Sequence, residues 1–334
     1  MNDLNPQSPH HSLTPDAKRN VSLDILKLLM AFMVIGIHAG FLGEFSKLGE
    51  YLTVNGVFRI AVPVFFIING FYFYPVLSKN NQLLWLKRII FLYLVWMTFY
   101  VYFWFNIPEL TLYGFVELIG KFLIGYFHLW YVSGLIGAAI ILIALRQVSS
   151  KYLVAIIAIT FIIGVIIQYA GNYHLFLGTV LDKIFNFNWV HRNFLFLAFP
   201  FFCIGYLINK HTLYQEVSIE RVMVLIVVGF SILFFESYIN FYHADREESF
   251  DNFVSLIVVC PAIFMFFIKQ HISGHSKQVA LYASAIYFIH VFVLSALRHF
   301  ADLHNTLLTI FGIVISIMIS FLIIKGNKKF KFIL

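Results

Sequence analysis

Residues 23–42 read L-D-I-L-K-L-L-M-A-F-M-V-I-G-I-H-A-G-F-L, an apolar run interrupted by Lys27 and His38. The run is long enough to span a hydrocarbon layer of about 30 Å. Charged and titratable side chains are costly at that depth, and they persist chiefly where they face the protein interior. Their spacing is informative as well. Eleven residues at about 100° each return the two side chains to within roughly 20° of one helix face, about 16 Å apart along the axis. One face of one helix therefore carries a cation deep and an imidazole shallow.

Composition extends that reading to the whole chain. With 61% hydrophobic and 12% charged residues over 334 positions, there are too few charges to cover a soluble globule of this size. The expected fold is an all-α polytopic membrane protein. Ten spans are expected, at 23–42, 57–76, 89–106, 127–146, 152–169, 192–209, 220–240, 252–270, 278–297 and 304–325, the ninth being short and polar for a span. The stretch Leu112 to Ile124 reads as an interfacial helix. The abundant aromatic residues, 40 Phe and 18 Tyr, suit lipid-facing and boundary positions.

Basic residues set the orientation, because Lys and Arg accumulate in cytoplasmic loops. With the amino terminus inside, fifteen basic residues fall on the cytoplasmic side, including Lys79, Lys87, Arg88, Arg146, Lys151 and Lys210, and six outside: Lys47, Lys121, Lys183, Arg192, Arg246 and Arg298. Both termini are thus expected in the cytoplasm. The net charge of +7 follows from this bias and gives no reason to invoke nucleic acid. The domain division expected is a disordered leader at 1–20, a membrane domain at 21–326 and a basic cytoplasmic tail at 327–334. No signal peptide is visible, since no apolar core precedes Leu23. Cys203 and Cys260 fall inside expected helices and read as small apolar residues. No internal repeat is visible.

Six ionisable side chains from six expected helices then share one depth, near the outer ends: His38, Arg59, His128, Arg192, Glu236 and His290. Only Lys27 points to the cytoplasmic half. Each has a plainer reading. Arg59 and Arg192 could be snorkelling anchors, and His128 and His290 could be core residues bonded to a carbonyl or hydroxyl. Glu236 could neutralise an arginine or fix a histidine tautomer, and Lys27 could pair with Asp24 one turn back. The charged outer loop around His243 to Asp251, with Asp245, Glu247, Glu248 and Asp251, reads as solvated, with contact to an acceptor as the alternative. Shared depth is what raises the set above these individual readings.

The same residues carry a resemblance. L-D-I-L-K followed by His38, then F-R-I-A-V-P-V-F-F-I-I-N-G-F from Phe58, then H-L-W-Y from His128 and I-Y-F-I-H ending at His290, resemble the acyltransferase-3 family of bacterial membrane proteins, from about Ser22 to the last helix. The most specific element is a basic residue and a His ten residues apart in the first helix, supported by Arg59-x-x-x-Pro63-x-Phe65-Phe66. Two departures stand out. Lys27 replaces the family's common Arg, keeping charge but losing the planar fork. Arg88 is followed by Ile89, Ile90 and Phe91, where many members have a second arginine three residues on.

The resemblance implies a multi-pass protein of the bacterial cytoplasmic (inner) membrane that moves an acetyl or similar short acyl group from cytoplasmic acetyl-CoA, or another acyl-CoA, to a hydroxyl of a glycan on the far side. On this layout Lys27, Lys87 and Arg88 would draw the donor's phosphates. His38 would act as general base, its ordinary pKa of about 6.5 lying near working pH. Arg59 and Arg192 would stabilise developing negative charge or hold the acceptor, His128 would orient or stabilise, and Glu236 and His290 would support. An acyl-His38 intermediate is the covalent variant, with ping-pong kinetics. The sequence has no Gly-x-Ser-x-Gly elbow, no Ser-x-x-Lys and no His or Cys pair at metal-ligand spacing, so serine-hydrolase and metalloenzyme readings find no support and no metal is expected. The rival class is a transporter or polysaccharide exporter, in which intramembrane charge would line a path.

Overall fold

The computed structural model describes residues 19–107, 110–243, 250–274, 277–330 and 333–334. Most of the leader and the acidic residues Asp245, Glu247 and Glu248 lie outside them. Among the described residues, nine helical stretches are long and apolar enough to cross a membrane. The main helices are α1 (Ser22–Ala39), α2 (Ala61–Ser78), α3 (Gln82–Phe99), α4 (Leu112–Ile124), α5 (Trp130–Ala144), α6 (Ser150–Asn172), α7 (Phe199–Lys210), α8 (Ile219–Tyr242), α9 (Leu256–Lys269), α10 (Gln278–Ala301) and α11 (Asn305–Lys329). A two-residue antiparallel ladder, Arg19–Asn20 on Ser273–Gly274, ties the start of α1 to the α9–α10 connection. The protein is an all-α polytopic membrane protein.

Three expected boundaries change. The third span lies at Gln82–Phe99 rather than 89–106, so Lys87 and Arg88 sit inside the helix instead of ahead of it. Long cationic side chains reach past a helix end to the interface, which lets the apolar segment start before them. The ninth span, read as short, is a full 24-residue helix, and the short one is instead α9, at 14 residues. The interfacial segment falls where expected: α4 spans Leu112–Ile124, strongly amphipathic and largely exposed.

Packing follows from small residues at crossings, the usual device where lipid supplies no hydrophobic drive between helices. At the α2–α7 crossing a Cβ on Gly70 would run into the Phe202 carbonyl, and one on Gly205 into the Ile67 carbonyl. The two backbones are therefore in direct contact. Around this pair α1 packs on α2, α10 and α11, while α5 packs on α7. Of the spanning helices, α3 and α8 bury the smallest shares and lie at the rim.

Three spans do not begin as α-helix. Val57–Ile60 and Phe127–Leu129 are 3₁₀ turns and Phe194–Ala198 is a π turn. Such turns are common where a helix carries function. They place Arg59, His128 and Arg192 at one end of the bundle, level with the last turn of α1, where His38 sits. Lys27 occupies the opposite end of α1.

Candidate functional site

The three histidines meet. The His38 ring lies 5.4 Å from that of His290 and 4.7 Å from that of Phe127, and His128 is 4.9 Å from His290. His128 and His290 are fully buried, His38 half so. The His290 Nδ1 hydrogen bonds to the Tyr287 carbonyl at 2.6 Å, and the Tyr287 hydroxyl donates to the His128 carbonyl at 2.7 Å. Both ring nitrogens of His128 and Nε2 of His290 are buried without a well-aligned partner among the described residues. Buried polar atoms left without a good partner cost about 1–3 kcal/mol each, so these ring nitrogens have capacity for a further hydrogen bond.

His38 separates two spaces. On one side a small chamber of about 40 Å³ is bounded by His38, Arg59, Trp130, Arg192 and Asp251. On the other a cavity of about 190 Å³ is walled by His38, Tyr126, Phe127, Ser295 and Arg298. The chamber's polar wall is a triad. Asp251 Oδ1 accepts from Arg59 Nη1 at 2.5 Å and its Oδ2 from Arg192 Nη1 at 3.2 Å. Arg59 also donates from Nε to the Val54 carbonyl at 3.1 Å and from Nη2 to Asn55 Oδ1 at 2.5 Å, and Arg192 lies 5.1 Å over the Trp130 ring. Burial alone would raise the Asp251 carboxyl, but the Arg192 and Arg59 guanidiniums outweigh it and hold it below its ordinary value. Two guanidiniums facing one carboxylate leave the chamber with an excess of one positive charge.

Asp251 therefore corrects the sequence reading: it is not a solvated loop charge but a buried clamp. The loop carrying it is pinned from two sides. Gln168 Oε1 accepts from the Asp251 and Asn252 amides at 2.9 and 3.0 Å. Glu236 accepts from the Val254 and Ser255 amides at 2.7 and 3.0 Å, from the Ser255 hydroxyl at 2.8 Å and from the Tyr169 hydroxyl at 2.5 Å. Glu236 thus caps the start of α9 rather than pairing with an arginine or a histidine, and it reaches the site only through the loop.

Toward the other end, a cavity of about 180 Å³ runs from Lys27 past Asn69 and Tyr131 to Tyr287. Asn69 Nδ2 donates to the Tyr131 hydroxyl at 2.7 Å, and Tyr287 is the residue bonded to His128, so this space ends beneath the histidines. Lys27 Nζ also lies 5.3 Å over the Tyr72 ring. Lys87 and Arg88 do not line this cavity. They are exposed on a separate, wider groove along α3 that also includes Leu334, while Ile89 and Leu92 face both spaces.

Comparison with known proteins places the chain in a family. A model of the acyltransferase-3 family, described as an acyltransferase domain, matches residues 20–325. The chain belongs to that family. Within curated proteins this acyltransferase-3 protein is 25% identical to a serine/alanine racemase of Enterococcus gallinarum, over 93% of its own length and 46% of the relative's. It is also 25% identical to an amino-acid racemase of Enterococcus faecalis, over 92% and 46%, and 24% identical to another from the same species, over 76% and 36%. The chain thus spans less than half the length of these relatives. No solved structure matches it.

The structure brings together five of the expected outer residues, His38, Arg59, His128, Arg192 and His290, and sets Glu236 one layer behind. Asp251, Gln168, Asn69, Tyr131, Tyr287 and Arg298 were not among the expected site residues. In the sequence Asn69 and Gln168 were the findable ones, as amides inside otherwise apolar helices.

Proposed function

We propose that this acyltransferase moves an acetyl or similar short acyl group from cytoplasmic acyl-CoA to a hydroxyl of a cell-surface or lipid-linked glycan, across the bacterial inner membrane. The glycan acceptor is part of this reading, which likens the motif order read from the sequence to that of the family's inner-membrane O-acetyltransferase of enterobacterial common antigen. The observation that carries the reading is the position of His38, which packs on His290 and bounds the arginine-walled chamber, while Tyr287, bonded to the His128 carbonyl, closes the Lys27 cavity.

In the direct step, His38 takes the proton of the attacking hydroxyl as its oxygen bonds to the thioester carbonyl carbon. The carbon–sulfur bond then breaks and the proton passes to the departing thiolate, giving ester and free thiol. Arg59 and Arg192, held by Asp251, face the oxygen that becomes negative. A donor arm reaching in past Lys27 and Asn69 would deliver the thioester from the far end. The test is acetyl-CoA supplied to inside-out vesicles containing the wild type or His38→Ala, with acetylated glycan as readout. Transfer is expected to fall about 10² to 10⁴-fold; equal product from both would remove His38 from the mechanism.

A further inference from the structure

The cavity above His38 has no assigned occupant. Its most unusual wall is Arg298. Arg298 Nη2 donates to the His38 carbonyl at 2.5 Å, which fixes the guanidinium at the mouth of the cavity while the rest of its fork stays exposed. Among the described residues no carboxylate pairs with Arg298, whereas Arg59 and Arg192 share one. An anchored guanidinium without a counter-charge is preorganised for a planar or tetrahedral oxyanion.

The opposite wall is aromatic. Phe127 covers His38, and its φ of 43° is a left-handed conformation that a bulky residue adopts only under constraint. The constraint is local: Gly125, at φ 97°, turns the chain out of α4, and a Cβ there would meet the backbone of Leu129 and Trp130. Tyr126 is in turn held at 5.5 Å from the Tyr100 ring. Aromatic rings beside a fixed cation and a serine hydroxyl form a wall that accepts the apolar face of a sugar ring and its polar edge together.

We propose that this cavity is the acceptor subsite and that it selects a sugar bearing an anionic group next to the reacting hydroxyl, with Arg298 holding the anion and Phe127 and Tyr126 packing on the ring. This deepens the acyl-transfer reading and rests on it for the identity of the reacting hydroxyl. In this arrangement the anion binds at Arg298 and the hydroxyl meets His38 on the same wall.

Three probes test it: methyl glucoside, methyl glucuronide and glucose 1-phosphate, with the full chain in nanodiscs and both faces open. Binding is measured first, by equilibrium dialysis, because it needs no chemistry. The wild type is expected to prefer one or both anionic probes over the glucoside by about 10 to 100-fold, the range for a hydrogen-bonded charged group. Arg298→Gln is expected to bring that ratio close to one, and Arg298→Lys to restore part of it. Glucuronide or phosphate, whichever binds tighter, identifies the acidic group. The same ratio is then read in acetyl transfer from acetyl-CoA. A preference that needs Arg298 in binding but has no counterpart in transfer would leave the subsite standing and count against the transfer reading. No preference in the wild type, or a preference that survives Arg298→Gln in a variant of unchanged melting temperature, would overturn the subsite.

Discussion

Asp251 Oδ1 lies 2.5 Å from Arg59 Nη1 with both side chains buried, joining the loop ahead of α9 to the 3₁₀ turn ahead of α2. A buried charge is tolerable only when paired, and removing one partner of such a pair typically costs about 3–5 kcal/mol. Asp251→Asn keeps the volume but leaves Arg59 and Arg192 facing each other without compensation. We expect it to lower stability by about 3 kcal/mol and to abolish transfer, read by thermal unfolding in detergent and by product formation. Wild-type stability together with wild-type activity in the variant would show that the clamp is dispensable.

The same clamp predicts a pH dependence. The Asp251 carboxyl is held below its ordinary value in the fold, so the folded state binds its proton less readily than the unfolded chain does. Its contribution is complete above the unfolded value of about 3.9 and is lost as pH falls through the folded value. The stability gap between wild type and Asp251→Asn should stay flat from about pH 7 to about pH 5 and narrow below about pH 4. A gap that widened on acidification would mean that Asp251 is not ionised in the fold.

Lys27 offers a test at the other end of α1. It lines the cavity that continues to Asn69, Tyr131 and Tyr287, and a compact ammonium there suits a polyanionic donor entering from its side. Lys27→Ala is expected to raise the KM for acetyl-CoA about tenfold, and Lys27→Arg to recover most of that loss. An unchanged KM in Lys27→Ala would move the donor path elsewhere, with the separate α3 groove at Lys87 and Arg88 as the next candidate.

Which of these residues could be read from the sequence follows from their surroundings. His38, Arg59, His128, Arg192 and His290 stand out because each interrupts an apolar run, where an ionisable group is rare. Asp251 does not, because it closes a charged stretch with Asp245, Glu247 and Glu248 and reads with them as solvated, whereas the fold buries it. Arg298 lies in the last turn of α10, where an arginine ordinarily serves as an interfacial anchor, and its bond to the His38 carbonyl links positions 260 residues apart. Apolar length located the spans, but it gave ten where nine of the described stretches are long enough to cross a membrane and α9 is a short apolar helix; the start of α3 was not legible, since Lys87 and Arg88 interrupt the hydropathy without ending the helix. Glu236 was legible as an unusual carboxylate within an apolar helix; its partners were not, because backbone amides leave no mark in a sequence.

The Gly70–Gly205 contact makes the last prediction, and it concerns the scaffold rather than the chemistry. α2 carries Arg59 on its leading turn and Asn69 along its length, and α7 follows the π turn behind Arg192. The distance between these helices thus sets the separation of the two arginines that Asp251 bridges. A methyl group at position 70 meets a backbone carbonyl rather than a flexible side chain, so no rotamer change relieves it and one helix must move. Gly70→Ala is expected to cost about 1–3 kcal/mol in thermal unfolding and to lower kcat more than donor affinity, because the chamber widens while the Lys27 cavity keeps its cation. Gly120 is the control, since nothing lies within 4 Å of a Cβ placed there. Equal stability and turnover in Gly70→Ala and Gly120→Ala would show that the helix contact does not set the spacing of the arginines.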